Sequence, residues 1–548
     1  MSYRTLLVGV SAGLLVSASG LGEGLTLPVD RSGALPRHLT PAEREYLAQT
    51  PITADLRAVT APPTGPVHCA AEYEPMDSIM LSWQGSSSWL SISAQMAKEI
   101  TTAGNADVWV AVSSASSQVS ASNAMQAAGA NMSRVKFVIR GTDSIWIRDY
   151  GPRYIFEGDT RAVVDHTYNR PRPNDDAYTA FYAAQRGHQF YELPLVHGGG
   201  NYHLDALDRS YATRLINNEN PGLTEGQIIG HWNAYQNVNT TLFQPFPTSV
   251  DATQHLDMWM QIIADDAVMI SDWPNNVGST QDQICDAAAV TMAGLGYTVT
   301  RVPARSVSGT HYTYTNVVMC NDIVLIPSYT NGTVSPHNAQ ALAAWQSAMP
   351  NKQIIPINCQ AIVTAAGVMH CIVMHVPKHR GAAGPNGGLA PTAYVKSLNG
   401  GEIVAPASVQ NIRWNSDDDV SVASVDVHAS YDGGVTWNAL SLGAAALGSF
   451  NWNVPNVHTS QARVRVTARD ALGNTGADVT DVNFRITGSC AGDATGDNVV
   501  NFADLNIVLS EFGQTQSGAG WMAGDVNGDG VVGFADLNEV LSLFGNPC

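Results

Sequence analysis

The stretch Ala365-Ala-Gly-Val-Met-His-Cys-Ile-Val-Met-His-Val-Pro377 frames the rest of this 548-residue chain. Small, flexible residues precede the cysteine and apolar β-formers follow it. That pattern predicts a loop entering a buried strand, with Cys371 at the mouth. A thiol placed there can be aimed into a cleft. A cysteine taken in isolation reads as a small buried hydrophobe, so its neighbours must decide.

Outward from Cys371, strands and helices alternate. Ser78–Trp83, Ala106–Val112 and Val135–Ile139 read as strands, and Ser91–Ile100 and Ser120–Ala128 as helices. The rhythm returns through Trp259–Ile270, Thr280–Ala293, Tyr297–Val302, Val317–Ile326, Pro336–Ala348 and Gln353–Ile357. This predicts one α/β domain over residues 68–377, large for a single domain but within the known exceptions. Residues 1–20 carry Arg4, an apolar run and then small residues, the pattern of a signal peptide. Residues 21–67 form a Pro- and Thr-rich arm or propeptide with a short helical patch at Pro41–Ala48. The Gly-rich stretch 378–390 reads as a linker. Over 391–488 short alternating strands and turns, such as Asp432-Gly-Gly434, indicate a β-sandwich of immunoglobulin-like size.

Composition narrows the function. Charged residues are only 14% of the chain and the formal net charge is −19. That balance argues against nucleic-acid binding and suits cationic substrates or bound calcium. Scarce lysine and abundant small polar residues fit a secreted or extracellular protein, tethered to a surface if the C-terminal segment binds one. The apolar run near the N-terminus is too short for a permanent membrane span, and no other stretch is long and apolar enough. Seven cysteines leave at least one unpaired in an oxidising compartment. Cys490 and Cys548 flank the last segment and read as a staple for it.

That segment, residues 489–548, holds an internal repeat. Asp493-Ala-Thr-Gly-Asp-Asn-Val-Val-Asn-Phe-Ala-Asp504 returns as Asp525-Val-Asn-Gly-Asp-Gly-Val-Val-Gly-Phe-Ala-Asp536, each copy followed by an amphipathic stretch. A calcium loop needs oxygens at positions 1, 3, 5, 7, 9 and 12 and a left-handed residue at position 6. The first copy offers Asp493, Thr495, Asp497, the Val499 carbonyl, Asn501 and Asp504, with Asn498 at the turn. The second offers Asp525, Asn527, Asp529, the Val531 carbonyl and Asp536, with Gly530 at the turn. A pair of Asp-rich surface turns would not repeat at matching positions. Asp in place of Glu at position 12, followed by Leu, resembles a dockerin. The resemblance implies two bound calcium ions and a cohesin-like protein partner.

Four clusters in the α/β domain carry chemistry. Trp146-Ile-Arg-Asp-Tyr-Gly-Pro152 places Asp149 at a strand end. His255 and Asp257 are two apart and share a face on an extended backbone. Cys371 is the third cluster. In Tyr168-Asn-Arg-Pro-Arg-Pro-Asn-Asp-Asp176, prolines stiffen an extended loop and project Arg170 and Arg172 to one side. Cys with His suggests nucleophilic catalysis. Two further carboxylates suggest a planar cation held bidentately, a guanidinium. The cation and His255 together would favour the thiolate over its free pKa of ~8.5. Singly, each residue has a structural reading: a turn cap for Asp149, a satisfied interior histidine for His255, an ion-pair partner for Asp257, a solvated pair for the arginines. His370 and His375 flank Cys371 and read as structural neighbours pointing elsewhere.

Ala70-Ala-Glu-Tyr-Glu-Pro-Met76, Trp146–Pro152, His197-Gly-Gly-Gly-Asn201, His255-Leu-Asp257, Tyr314-Thr-Asn316 and His370-Cys371 occur in the order found in the agmatine deiminase and Porphyromonas-type peptidylarginine deiminase family. The resemblance covers about residues 68–377. It implies a pentein, a five-bladed α/β propeller with a central site and no cofactor for catalysis. It further implies that Asp149 and Asp257 bind the guanidinium, His255 is general acid and base, and Cys371 is the nucleophile of a covalent thiouronium intermediate. Trp146 would line the substrate channel. Arg170 and Arg172 resemble a pair that binds the carboxylate of a C-terminal arginine, implying peptidylarginine as substrate. Two alternatives stand beside it: an agmatine deiminase giving N-carbamoylputrescine, and a non-catalytic calcium-dependent surface or scaffold-binding protein.

Overall fold

A computed structural model of the chain describes residues 34–445, 448–457, 459–486, 492–495, 497, 499–515, 522–527 and 529–546. The signal-peptide expectation and the Cys490–Cys548 staple lie outside the described residues, as does Asn498.

Between Val67 and Pro377 the chain builds five small sheets and one two-stranded ribbon. Each sheet contains a parallel pair whose crossover is a helix, as parallel pairing requires. Met76–Ser82 pairs with Asp107–Val112 across Ser87–Thr101, and Thr160–Tyr168 with Gln189–His197 across Tyr178–Arg186. Arg209–Thr213 pairs with Asn239–Phe243, Ala267–Asp272 with Thr298–Pro303, and Ile323–Ser328 with Gln353–Asn358. Inner strands covered on both faces read as apolar runs, whereas an edge strand such as Gln353–Asn358 stays largely open. Ile323-Val-Leu-Ile326 is buried at every position.

Each parallel pair also gains an antiparallel strand: Val373–Pro377, Arg153–Glu157, His203–Leu204, Met260–Ala264 and Val318–Cys320. A short segment leads into each of these strands, and those segments carry Cys371, Asp149, Asn201, Asp257 and Asn316. Val373–Pro377, late in the domain, pairs with Met76–Ser82 near its start. The two ends of the domain are thereby sewn into one sheet.

Local expectations differ at three places. Asp149 lies in a one-turn helix, Ile147–Tyr150, because the Gly151 amide donates back to the Ile147 carbonyl at 2.7 Å. Residues 168–176 are not extended throughout: Pro173 opens a helical turn, Pro173–Asp176, with its fixed φ suited to a first helical position. After the Asp432-Gly-Gly434 turn, with Gly433 and Gly434 both at positive φ, the returning strand begins only at Asn438.

Beyond Pro377 a three-stranded and a six-stranded sheet enclose Trp414, Trp452, Phe484 and a set of valines. The Gly-rich stretch before them is tied down, with His379 buried between Asp417 and the Ala390 carbonyl. Arg161 on the first body and Asp417 on the second form a buried two-point ion pair at 2.8 and 3.2 Å. His188 and His379 flank the same carboxylate at 3.2 and 3.0 Å. Burial would raise the Asp417 pKa, but Arg161 and the two imidazoles hold it well below the ordinary range. Further on, helices Phe502–Glu511 and Phe534–Leu543 pack around Val500, Val508, Val532 and Val540.

Removing Asp417 alone would strand the Arg161 cation in the interior, which costs about 3–5 kcal/mol. Asp417→Ala should lower stability to urea by that amount, and Arg161→Met with Asp417→Leu should regain most of it. An equal loss in the double variant would assign the effect to packing rather than charge.

Candidate active site

Asp149, His255, Asp257 and Cys371 converge, and all four are buried. At their centre lies a guanidinium from the chain itself. Arg37, on the N-terminal arm, donates from Nε and Nη2 to the two oxygens of Asp149, both at 2.8 Å. Its Nη1 and Nη2 donate to the two oxygens of Asp257, both at 3.0 Å. Nη1 also lies 2.6 Å from Cys371 Sγ, and Nη2 lies 2.7 Å from His255 Nδ1. Two bidentate carboxylates on one planar cation make the strong, oriented form of ion pairing.

Local backbone explains how each group arrives. Asp149 is fixed by the Gly200 amide, which donates to its Oδ1 at 3.1 Å, and by His166, bonded to its carbonyl at 2.9 Å. Gly200 must be glycine: a Cβ there would stand 1.8 Å from Arg37 Nη2 and 2.7 Å from Asp257 Oδ2. The same reasoning holds for Gly367, where a Cβ would meet Cys371 Sγ at 2.9 Å and Trp146 at 2.7 Å. His255 and Asp257 do not sit on a strand as expected. A 3₁₀ turn, Leu256–Met258, follows His255, yet both side chains still reach the guanidinium. Gln254, just before, has φ +61°, a conformation that costs energy for a non-glycine residue. Cys371 behaves as expected: a single turn, His370–Ile372, leads into the buried strand Val373–Pro377.

The charges sort by partner. Burial would raise both carboxylates, but Arg37 holds Asp149 and Asp257 well below the ordinary range. Burial, with Arg37 adding to it, lowers His255 below its ordinary value. His255 Nε2 has no hydrogen-bond partner among the described residues. The expectation that cation and histidine together favour a thiolate is corrected. Burial pushes the Cys371 thiol well up, and Asp257 and Asp149 add to that, so Arg37 lowers it without reversing the direction.

Several residues of the site escaped the sequence reading. His370, taken there as a structural neighbour, bonds Asp257 Oδ2 through Nδ1 at 2.9 Å and Glu72 through Nε2 at 3.0 Å. Arg148 donates to Glu72 at 2.8 Å and to His375 Nδ1 at 2.7 Å. Glu72, His370 and Arg148 thus hold Asp257 in place from behind. Asn316 donates to Cys371 Sγ at 3.1 Å, while its oxygen accepts from the His370 amide at 3.0 Å. Glu72 and Asn316 each lie inside a motif quoted above. Arg37 had no signal beyond being an arginine in the arm.

Trp146, Arg170 and Arg172 all touch the arm. Trp146 Nε1 donates to the Leu35 carbonyl at 2.8 Å. Arg170 Nε donates to the Arg37 carbonyl at 3.1 Å. Arg172 does bind a carboxylate at two points, but it is Glu43 of the arm, at 2.8 and 3.2 Å, and Arg172 also donates to the Pro36 carbonyl at 2.8 Å. Glu43 at the same time caps the helix Pro41–Gln49 through the Thr40 amide. Beside the arm opens a cleft of about 670 Å³ lined by His38, Arg44, Arg170, Glu219 and Gln254.

In the C-terminal repeat, one carboxylate oxygen each of Asp493, Asp497 and Asp504 lie within 4.8 Å of one another, and so do those of Asp525, Asp529 and Asp536. Thr495 donates from Oγ1 to Asp504 at 2.8 Å. Asn527 receives the Asp529 amide on its side-chain oxygen at 2.8 Å. Asn501 differs from the expected ligand: its oxygen accepts from the Ala503 amide at 2.7 Å as a helix cap, and its amide nitrogen faces Asp497. The capping bond wins because a helix start leaves its first amides unpaired.

Residues 68–377 match the family model described as Porphyromonas-type peptidyl-arginine deiminase. An agmatine deiminase of Ectopseudomonas mendocina is 23% identical over 297 residues, covering 45% of this chain and 78% of that protein. The structure of an Enterococcus faecalis agmatine deiminase superposes with a TM-score of 0.51 at 19% identity, over 58% of this chain and all of that one. An agmatine deiminase of C. jejuni with substrate bound gives a TM-score of 0.51 at 16% identity, over 57% and 97% of the two chains. The matched region is more than half of the chain and contains Asp149, His255, Asp257 and Cys371: the chain belongs to the Porphyromonas-type peptidyl-arginine deiminase family.

Proposed function

We propose that the chain hydrolyses the guanidinium group of arginine residues in peptides, leaving citrulline and releasing ammonia. One observation carries this reading: a guanidinium lies between Asp149 and Asp257, in contact with Cys371 and His255. The carboxylates hold the cation and spread its charge. Cys371 Sγ attacks the central carbon, and the thiol proton leaves with the departing nitrogen by way of His255. Water then adds to the thiouronium, with His255 taking its proton. Asn316, donating to Sγ, steadies the sulfur, and His370 orients Asp257.

Arginine in a peptide is favoured because the occupant of the site is one. Arg170 takes the Arg37 carbonyl, and a C-terminal carboxylate at that place would add charge to the same contact. Agmatine, the second reading, has neither group there; it is favoured by the names of the relatives.

Five sheets, each with a site segment leading into its antiparallel strand, support a five-bladed arrangement. The two sheets after residue 390 support an immunoglobulin-like module. The paired acidic loops support a dockerin. Asp493, Thr495, Asp497 and Asp504 would hold one calcium ion, and Asp525, Asn527, Asp529 and Asp536 the other. Buried, clustered carboxylates such as Asp504 and Asp536 fit a dication well. Phe502 and Phe534 are 68% and 72% exposed, and each packs edge-on against a second phenylalanine, Phe544 and Phe512. This duplicated apolar surface suits a cohesin-like partner. Together with the leader-like pattern of residues 1–20, these features support a secreted protein. Among the described residues no helix is long and apolar enough to cross a membrane.

Each charge-assisted contact to the buried cation contributes about 1.5–3 kcal/mol. Asp149→Asn and Asp257→Asn should therefore each lose at least about tenfold in kcat/KM, and Cys371→Ala should lose all ureido product. Full activity in either Asn variant would show that the cation is held elsewhere.

Arg170 should set the substrate. A peptide ending in arginine should exceed its amide in kcat/KM, and Arg170→Ala should erase that difference. Agmatine outrunning both peptides would decide for the second reading.

Calcium should order the C-terminal repeat, whose small core of four valines gives it little else. Adding a chelator to the full chain should lower helical ellipticity and expose the repeat to protease, leaving residues 68–377 intact. An unchanged digestion pattern would refute the calcium loops.

A further inference from the structure

The guanidinium in the site is covalently part of this chain, and every nitrogen of it is engaged. Nε meets Asp149; Nη1 meets Asp257 and Cys371; Nη2 meets Asp149, Asp257 and His255. The arm brings it there with main-chain ties on both sides. The Arg37 amide donates to the Ala365 carbonyl at 2.9 Å, and Arg170 takes the Arg37 carbonyl at 3.1 Å. Trp146 and Arg172 take the carbonyls of Leu35 and Pro36, and the Glu43–Arg172 pair clamps the helix that follows. A buried arginine between two acids is by itself an ordinary structural ion pair. A purely structural arginine has no need of the thiol and the imidazole as well. Arg37 satisfies carboxylates, nucleophile and acid–base group together, and it is fully buried among them.

We propose that Arg37 is the chain's own substrate: Cys371 converts it in cis to citrulline, and the conversion frees the site for other guanidinium groups. The inference rests on the hydrolase reading above. Sγ forms a bond to Arg37 Cζ, and the Cζ–Nη2 bond breaks. The thiol proton reaches Nη2 by way of His255, whose Nδ1 lies 2.7 Å from it, and the nitrogen leaves as ammonia. The positive charge stays on the thiouronium. Water then adds its oxygen to Cζ and the Cζ–S bond breaks. One water proton returns to sulfur; the other passes to His255 and on to the ammonia, which departs as ammonium. No electrons are transferred, and water is the only co-reactant.

The consequence is electrostatic. Citrulline is neutral, so Asp149 and Asp257 lose the cation they share. What remains holding the arm is the main-chain ties and Glu43–Arg172. A free guanidinium competes for two unpaired buried carboxylates far better than a neutral ureido group does. While Arg37 is intact, no second guanidinium can occupy the same contacts, so the first turnover and the opening of the site are one event.

The test uses the full chain in three forms: wild type, Cys371→Ala and Arg37→Ala. Tandem mass spectrometry after digestion reads residue 37. Citrulline at 37 in wild type and arginine at 37 in Cys371→Ala is the expected result. Mixing the two proteins separates cis from trans. The Cys371→Ala chain should keep its arginine in the presence of active wild type, and its conversion at the rate of added arginine peptides would overturn the cis assignment. Arg37→Ala, assayed on agmatine and on an arginine peptide, separates this inference from the hydrolase reading. Arginine persisting at 37 in a wild-type chain, with Arg37→Ala turning over either compound, would sink self-conversion and leave the hydrolase standing. No turnover of any guanidinium by Arg37→Ala or wild type, with residue 37 unmodified, would sink both.

Discussion

One desolvated cation between two carboxylates governs this structure. Asp149 and Asp257 come from segments more than a hundred residues apart, and each is fully buried. Like charges in a low-dielectric interior repel strongly, and burial penalises each ionised form. The guanidinium reverses both effects at once, which is why both acids stay ionised. The surrounding bonds are arranged for that one ion. Gly200 yields the space for Nη2 and supplies its amide to Asp149. His370, itself held by Glu72, braces the Asp257 oxygen that Arg37 Nη2 also reaches. Arg148, a second buried cation, balances Glu72 so that the brace itself is not an unpaired charge.

The fold explains how such distant residues meet. Each of the five sheets contributes one antiparallel strand, and the segment leading into it carries a polar residue: Asp149, Asn201, Asp257, Asn316 or Cys371. Asn201 does not touch the guanidinium. It receives the amides of Thr213 and Leu256 and so ties the third segment to the second. Asn316 gathers the amides of Val368, His370 and Cys371 in the same way. The chemistry of Cys371 thus depends on a loop whose shape is set by an asparagine from another sheet. On a strand, neighbouring residues face opposite ways; the short turns at these entries let them converge, so that His370 and Cys371 both reach Asp257. His370 can brace Asp257 while Cys371 faces the cation.

That geometry also marks what a sequence could yield. That Asp149, His255, Asp257 and Cys371 belong together was legible because several spaced motifs agree, and the structure brings the four around one guanidinium. The strand rhythm was legible because buried parallel strands are continuous apolar runs. His370 was misjudged because strand alternation was assumed through Cys371, where the backbone makes a 3₁₀ turn. Arg172 was read as a carboxylate binder, and it is one, but its carboxylate is Glu43, whose role depends on the arm folding back. Arg37 was invisible for a more basic reason. It lies 334 residues from Cys371, and no spacing rule connects an arginine after a proline to a thiol that far away.

The same charge clamp constrains what the site can be when Arg37 is elsewhere. Two buried carboxylates without a cation would each lose their main stabilising partner, and burial disfavours a charge on the His255 imidazole beside them. The site is then relieved in one of two ways: a carboxylate takes a proton, or another cation enters. Protonating Asp149 or Asp257 would remove the binding charge that the chemistry needs. Entry of a second guanidinium restores it. The energetic penalty that makes a vacant clamp unfavourable is therefore also a force that draws a second cation in. An arm that fills the clamp during folding spares the chain that penalty at the stage when the five sheets must close around it.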